Sequence, residues 1–236
     1  MRIWKLSSSL FLVMMLLTGC LYPEEELAEN QTPYKEQVQA VQAAINQFQE
    51  ANEGVLPIKT TEGDTPLYQK YLIDFKRLVP QYLSEPPGNS YENGGVFQYV
   101  IINPETDVQV KIFDLRIAEK IREIKLLIKA YGNPPFKEKI AQNVYSLNFD
   151  KLGYKEEPTV TSPYTNQSLS FVVTESGEIY VDYRNDLLQA LQEKDHSFKP
   201  GDDIRSILVE DSMFVPAYSL PYTIDESSKE PIFLMN

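Results

Sequence analysis

The stretch from Phe97 to Gly132 constrains the fold most, because the spacing of its apolar residues changes once and cleanly. Phe97, Tyr99 and Ile101 alternate with their neighbours, and so do Val108, Val110 and Ile112, with Gln109 and Lys111 between them. Asn103-Pro104-Glu105-Thr106-Asp107 separates the two runs, which predicts an antiparallel β-hairpin with one apolar face and one wet face. Ile117, Ile121, Ile124, Ile128 and Tyr131 then follow at helical spacing. Asp114 stands ready to cap that helix, and Gly132 before Pro134-Pro135 ends it. A hairpin feeding directly into an amphipathic helix is α+β architecture, since the helix can cover the apolar face that a lone hairpin leaves open.

The same order of elements occurs twice. Upstream, Thr32-Pro33 opens a helix striped by Val38, Val41, Ile45 and Phe48 and stopped near Gly54. Val55 to Ile58 reads as extended, and Tyr68, Tyr71, Leu72, Phe75 and Leu78 predict a second, shorter helix that Pro80 ends. Downstream, Tyr71 to Leu78 is matched by Tyr145 to Leu152, and Val100-Ile101-Ile102 by Phe171-Val172-Val173. The offset falls from 79 residues (Ala51 to Ala130) through 74 (Tyr71 to Tyr145) to 71 (Val100 to Phe171), as shorter loops in a second copy would produce. The expected fold is therefore α+β, a tandem repeat of helix–short helix–antiparallel β-hairpin units over 33–113 and 114–184. A degraded third unit over 185–236 caps the second, with a helix from Asn185, another near Asp202 to Leu208 and strands at Phe214-Val215 and Ile232-Phe233.

The N-terminus has a different character. Arg2 and Lys5 precede the apolar run Leu10 to Leu17, which is too short to span a bilayer comfortably and fits a signal peptide. The run closes on Leu17-Thr18-Gly19-Cys20, which resembles the lipobox of bacterial lipoproteins. That resemblance implies removal of residues 1–19, lipidation of Cys20 and a domain held to the cell membrane outside the cytoplasm. A diacylglyceryl cysteine carries two acyl chains, enough for stable anchoring. Residues 20–32, with Pro23 and four glutamates (Glu24, Glu25, Glu26 and Glu29), read as an acidic tether. As a whole the chain resembles small uncharacterised lipoproteins of Bacillus and its relatives, a likeness that brings no functional residues with it.

Charge and composition narrow the function. The formal net charge is −12, and loss of Arg2 and Lys5 with the signal makes it −14. Nucleic-acid binding needs a basic face, so that balance argues against it. Cys20 is the only cysteine and His196 the only histidine, which excludes an intrachain disulfide and a multi-histidine metal site. Asp195-His196-Ser197 places three triad residue types side by side, but adjacent residues do not reach triad geometry. Glu175, Glu178 and Asp182 surround a turn and read as a polar rim. Carboxylate pairs for glycoside hydrolysis need not be close in sequence, and nothing singles out a pair among 34 acids. No cofactor or metal is expected, nor a catalytic residue.

Tyrosine is the remaining signal, with 15 against one tryptophan. Tyr82, Tyr91, Tyr154 and Tyr164 fall in Pro-, Asn- or Ser-containing stretches, where a rigid amphipathic ring suits a binding surface. The same residues would equally close the core with the hydroxyl in water. The sequence thus predicts a non-catalytic interaction module, tethered to the membrane through the lipid on Cys20 and binding an extracytoplasmic protein. The alternative is a solute- or glycan-binding lipoprotein for transport or wall metabolism, with a small-molecule pocket between the two units.

Overall fold

The structure is a computed structural model that describes residues 31–235. The signal run, Leu17-Thr18-Gly19-Cys20 and most of the tether lie outside the described residues. Helix α1 (Gln31–Ala51) buries Val38, Val41, Ile45 and Phe48, as its stripe requires. It unwinds through Glu53 and Gly54, both at positive φ (54° and 84°), with the Gly54 N–H donating to the Gln49 carbonyl at 2.9 Å. Strands β1 (Phe97–Ile102) and β2 (Gln109–Asp114) form the expected hairpin, in register from Phe97 opposite Asp114 to Ile102 opposite Gln109. Gln42 of α1 bridges to it. Its amide donates to the Val108 carbonyl (3.0 Å) and accepts from the Val110 N–H (2.7 Å).

Two expectations for this half need correction. The helix over Tyr68 to Leu78 is instead two single 3-10 turns, Leu67–Gln69 and Phe75–Arg77, with an extended run between them. Tyr71 to Ile73 adds a strand to β1: the Ile101 N–H donates to the Tyr71 carbonyl (2.8 Å) and the Ile73 N–H to the Tyr99 carbonyl (3.1 Å). The free edge of β1 needs partners for its backbone groups, and that demand overrides an apolar spacing that fits either form. The wet face of the hairpin is also absent. Gln98 and Lys111 are 6% and 8% exposed, because Tyr68, Val209, Val215 and Ala217 pack over Val100, Ile102 and Phe113.

Helix α2 (Leu115–Tyr131) is capped by Asp114, which accepts from the Arg116 N–H at 2.8 Å, and closed by Gly132 at φ 110°. Its buried isoleucines (Ile117, Ile121, Ile124, Ile128) join the larger core. That core is built on a four-stranded antiparallel sheet. Strands β3 (Phe136–Ala141) and β4 (Val144–Leu147) are joined at Gln142-Asn143. A short pair, β5 (Val160–Thr161) and β6 (Ser168–Leu169), precedes β7 (Phe171–Thr174) and β8 (Ile179–Val181). The order across the sheet is β3-β4-β7-β8.

The rest of the chain touches both halves. Helix α3 (Arg184–Glu193) begins one residue before Asn185, so the expected cap lies inside the helix. Helix α4 (Ser206–Val209) is one turn, and β9 (Tyr222–Ile224) pairs with β10 (Pro231–Phe233). Between α4 and β9, the Ile112 N–H donates to the Met213 carbonyl (2.8 Å) and the Val215 N–H to the Ile112 carbonyl (3.0 Å). A few residues later the Val181 N–H donates to the Tyr218 carbonyl (2.9 Å). One short segment therefore edges β2 and then β8.

Candidate functional site

The four tyrosines singled out by sequence do not share an environment. Tyr91, in a single 3-10 turn (Tyr91–Asn93), keeps 63% of its surface. Tyr82 packs edge-on against Phe48 of α1 with ring centroids 5.4 Å apart, and its hydroxyl accepts from the Asn52 amide at 3.4 Å. Tyr154 stacks edge-on with Phe149 and donates to the Glu123 carboxylate at 2.8 Å. Desolvation, reinforced by that carboxylate, raises the Tyr154 pKa. Tyr164 departs furthest from a loop surface residue: its hydroxyl is buried without a hydrogen-bond partner, and its ring meets Tyr183 edge-on at 6.1 Å. In sequence Pro163 and Asn166 flank it, which suits a binding surface and core closure equally. The Ser162 hydroxyl accepts from the Tyr164 and Thr165 N–H groups, turning the loop inward.

The group that holds this loop is Asp186 of α3, which no sequence signal marked. It is 1% exposed. One carboxylate oxygen accepts from the Ser162 hydroxyl (2.9 Å) and the Thr165 hydroxyl (2.6 Å), while the other is buried without a partner. Burial raises its pKa, and the two hydroxyl bonds only partly offset that. Its role is to fasten the β5–β6 loop to α3.

Two of the acids beside the β7–β8 hairpin pair with cations. Glu178 pairs with Lys125 at 2.5 Å and Asp182 with Arg184 at 2.6 Å. Among the described residues, no three His, Cys, Asp or Glu side chains gather into a metal-holding group. His196, in an exposed loop, stacks on Phe198.

A cleft of about 320 Å³ opens where the β3–β4 turn meets β10, lined by Ile140, Ala141, Gln142, Arg184, Ile232, Phe233 and Met235. The Arg184 guanidinium lies over the Phe233 ring (5.0 Å) while holding Asp182, so an apolar floor meets a cation and an amide. The cleft belongs to the second half of the chain, not to a groove between the two expected units.

Residues 34–114 match the family model described as the YphF family N-terminal domain. The matched stretch covers about a third of the chain (81 of 236 residues), from α1 to the end of β2. No curated protein and no solved structure matches the chain.

Proposed function

We propose that the protein is a membrane-anchored extracytoplasmic lipoprotein whose α+β domain works as a non-catalytic interaction module. One observation carries the reading: Arg2 and Lys5, an apolar run and Leu17-Thr18-Gly19-Cys20 follow in the order a lipoprotein signal requires. The groups best suited to chemistry have structural work instead. Asp186 fastens a loop, Tyr154 binds Glu123, and the Tyr183 and Tyr222 hydroxyls donate to main-chain carbonyls. Tyr91 is the candidate tyrosine left available for a protein partner.

We also read the two halves as copies of one unit. Both show an outer extended run, a strand, a hairpin and the same pairing order, and each hairpin ends in Asp-x-Arg leading into a helix (Asp114-Leu115-Arg116 and Asp182-Tyr183-Arg184).

The cleft beside Arg184 favours a second reading, binding of a small solute with an apolar body and an anionic or hydroxyl end. Cell fractionation tests the anchored reading. The wild-type chain in the membrane fraction is expected to incorporate labelled palmitate and Cys20→Ala to incorporate none. Wild type and variant labelled alike, or neither labelled, would overturn the reading.

A further inference from the structure

Asp182-Tyr183-Arg184 and Asp203-Ile204-Arg205 build the same device twice. In each, the aspartate takes the Nε–Nη2 edge of the arginine two residues on. Arg184 Nε donates to both Asp182 oxygens (3.0 Å each) and Nη2 to Oδ2 (2.6 Å). Arg205 Nε donates to both Asp203 oxygens (3.0 and 3.1 Å) and Nη2 to Oδ2 (2.6 Å). In each, the guanidinium lies over an aromatic ring, Phe233 at 5.0 Å and Tyr68 at 5.2 Å. A guanidinium has a second edge, made by Nη1 and the remaining Nη2 hydrogen, that can take a further pair of oxygens.

The two arginines differ at that second edge. Arg205 is buried, and its Nη1 donates to the Ser219 carbonyl (3.2 Å) and the Ser219 hydroxyl (3.1 Å). Nη1 of Arg184 has no acceptor among the described residues, and 36% of the Arg184 side chain stays exposed. Arg184 lines the cleft of about 320 Å³ together with Ile140, Ile232, Phe233 and Met235. Ile232, although aliphatic, keeps 42% of its surface. The cleft therefore sets an unfilled donor edge beside an apolar wall. Two oxygens on one nitrogen is what Ser219 supplies to Arg205. A carboxylate supplies a pair of oxygens in one plane, which a lone hydroxyl does not. The volume, at the small end of ligand cavities, limits the body of such a ligand to a short one.

We propose that the cleft binds a small carboxylate with an apolar tail, its oxygens on the open Nη1–Nη2 edge of Arg184 and its tail against Ile232, Phe233 and Met235. The proposal rests on the solute-binding reading of this cleft and narrows it to one chemical class. Asp182 holds the guanidinium from its other edge, so the donors are in place before the ligand arrives. Asp182 also balances the arginine's charge, so affinity is modest, with an expected dissociation constant of about 1 mM.

The test is saturation-transfer NMR on the full chain, titrated with hexanoate, hexanol and acetate up to about 10 mM. Binding in the cleft is the part removed by Ile232→Glu, which sets a carboxylate on the exposed wall. Uptake by the N-terminal apolar run is common to every variant and drops out of the difference. Hexanoate is expected to bind about tenfold more tightly than hexanol or acetate. Arg184→Lys keeps a cation for Asp182 but has no second edge, so it should weaken hexanoate about tenfold and leave hexanol unchanged. Matching melting temperatures establish that the variants fold. Hexanol or acetate binding in the cleft as tightly as hexanoate, or hexanoate indifferent to Arg184→Lys, would overturn the proposal and leave the solute-binding reading standing. No cleft binding by any of the three probes would overturn both.

Discussion

Asp186 shows how one side chain can be costly and still be retained. Its carboxylate is taken out of water to hold Ser162 and Thr165, and one oxygen is left without a partner. Burial holds its pKa above the ordinary carboxylate value of 3.8, so the fold favours the neutral acid. The stability linked to this group is therefore fully present below pH 3.8 and declines as pH rises through the elevated folded value. Asp186→Asn keeps an oxygen for both hydroxyls and removes the titration. Its melting temperature relative to wild type is expected to rise as pH is taken upward from about 4. A difference constant between pH 4 and 8, followed by calorimetry, would contradict this account. Nothing in the sequence marked Asp186, because an acid in the first turn of a helix is ordinary at the surface. Its burial goes with the β5–β6 loop, whose Ser162 and Thr165 hydroxyls close on it, and that is a tertiary fact.

Among the elements, the most strongly periodic segments were legible: α1, the hairpin of β1 and β2, and α2 with its Asp114 and Gly132 ends. Spacing fails where one pattern suits two structures. Tyr71-Leu72-Ile73 fits a helix, yet becomes a strand because β1 offers it an unpaired edge. The β3–β4 hairpin went unread although Gln142-Asn143 separates two short alternating runs, because β3 is largely exposed and has little apolar signal. Lys111 hid the second buried face of the first hairpin in the same way. A long polar side chain suggests water, but its ammonium donates to the Val209 carbonyl (2.9 Å) and the Ser212 carbonyl (2.6 Å). Desolvation lowers its pKa, with Asp211 and Asp107 opposing. Lys111→Met preserves the stem and leaves both carbonyls unpaired, so it should cost about 1–3 kcal/mol in chemical denaturation. An unchanged midpoint would show that the ammonium does not tie β2 to the C-terminal segment. Asp-x-Arg is a further device at this scale. In Asp114, Asp182 and Asp203 the carboxylate takes the N–H and the guanidinium of the arginine two residues on, fixing the chain where it turns into α2, α3 or α4.

For the whole molecule, the C-terminal residues decide how the parts hold together. Met213 to Val215 extend the first sheet and Tyr218 meets the second, while Tyr222 is fully buried in the larger core. The sequence suggested a cap on one unit; the backbone pairs show a strap along two sheets. The candidate site was less legible than the fold. Tyrosines in loops look alike in sequence, and only packing separates the exposed Tyr91 from Tyr164 with its buried hydroxyl. The central claim, a domain held at the membrane through Cys20, is tested most directly by mass spectrometry of the N-terminal peptide of the protein made in a bacterial host. The account predicts a peptide that begins at Cys20 and carries the mass of a diacylglyceryl group. A peptide retaining residues 1–19, or an unmodified Cys20, would contradict it.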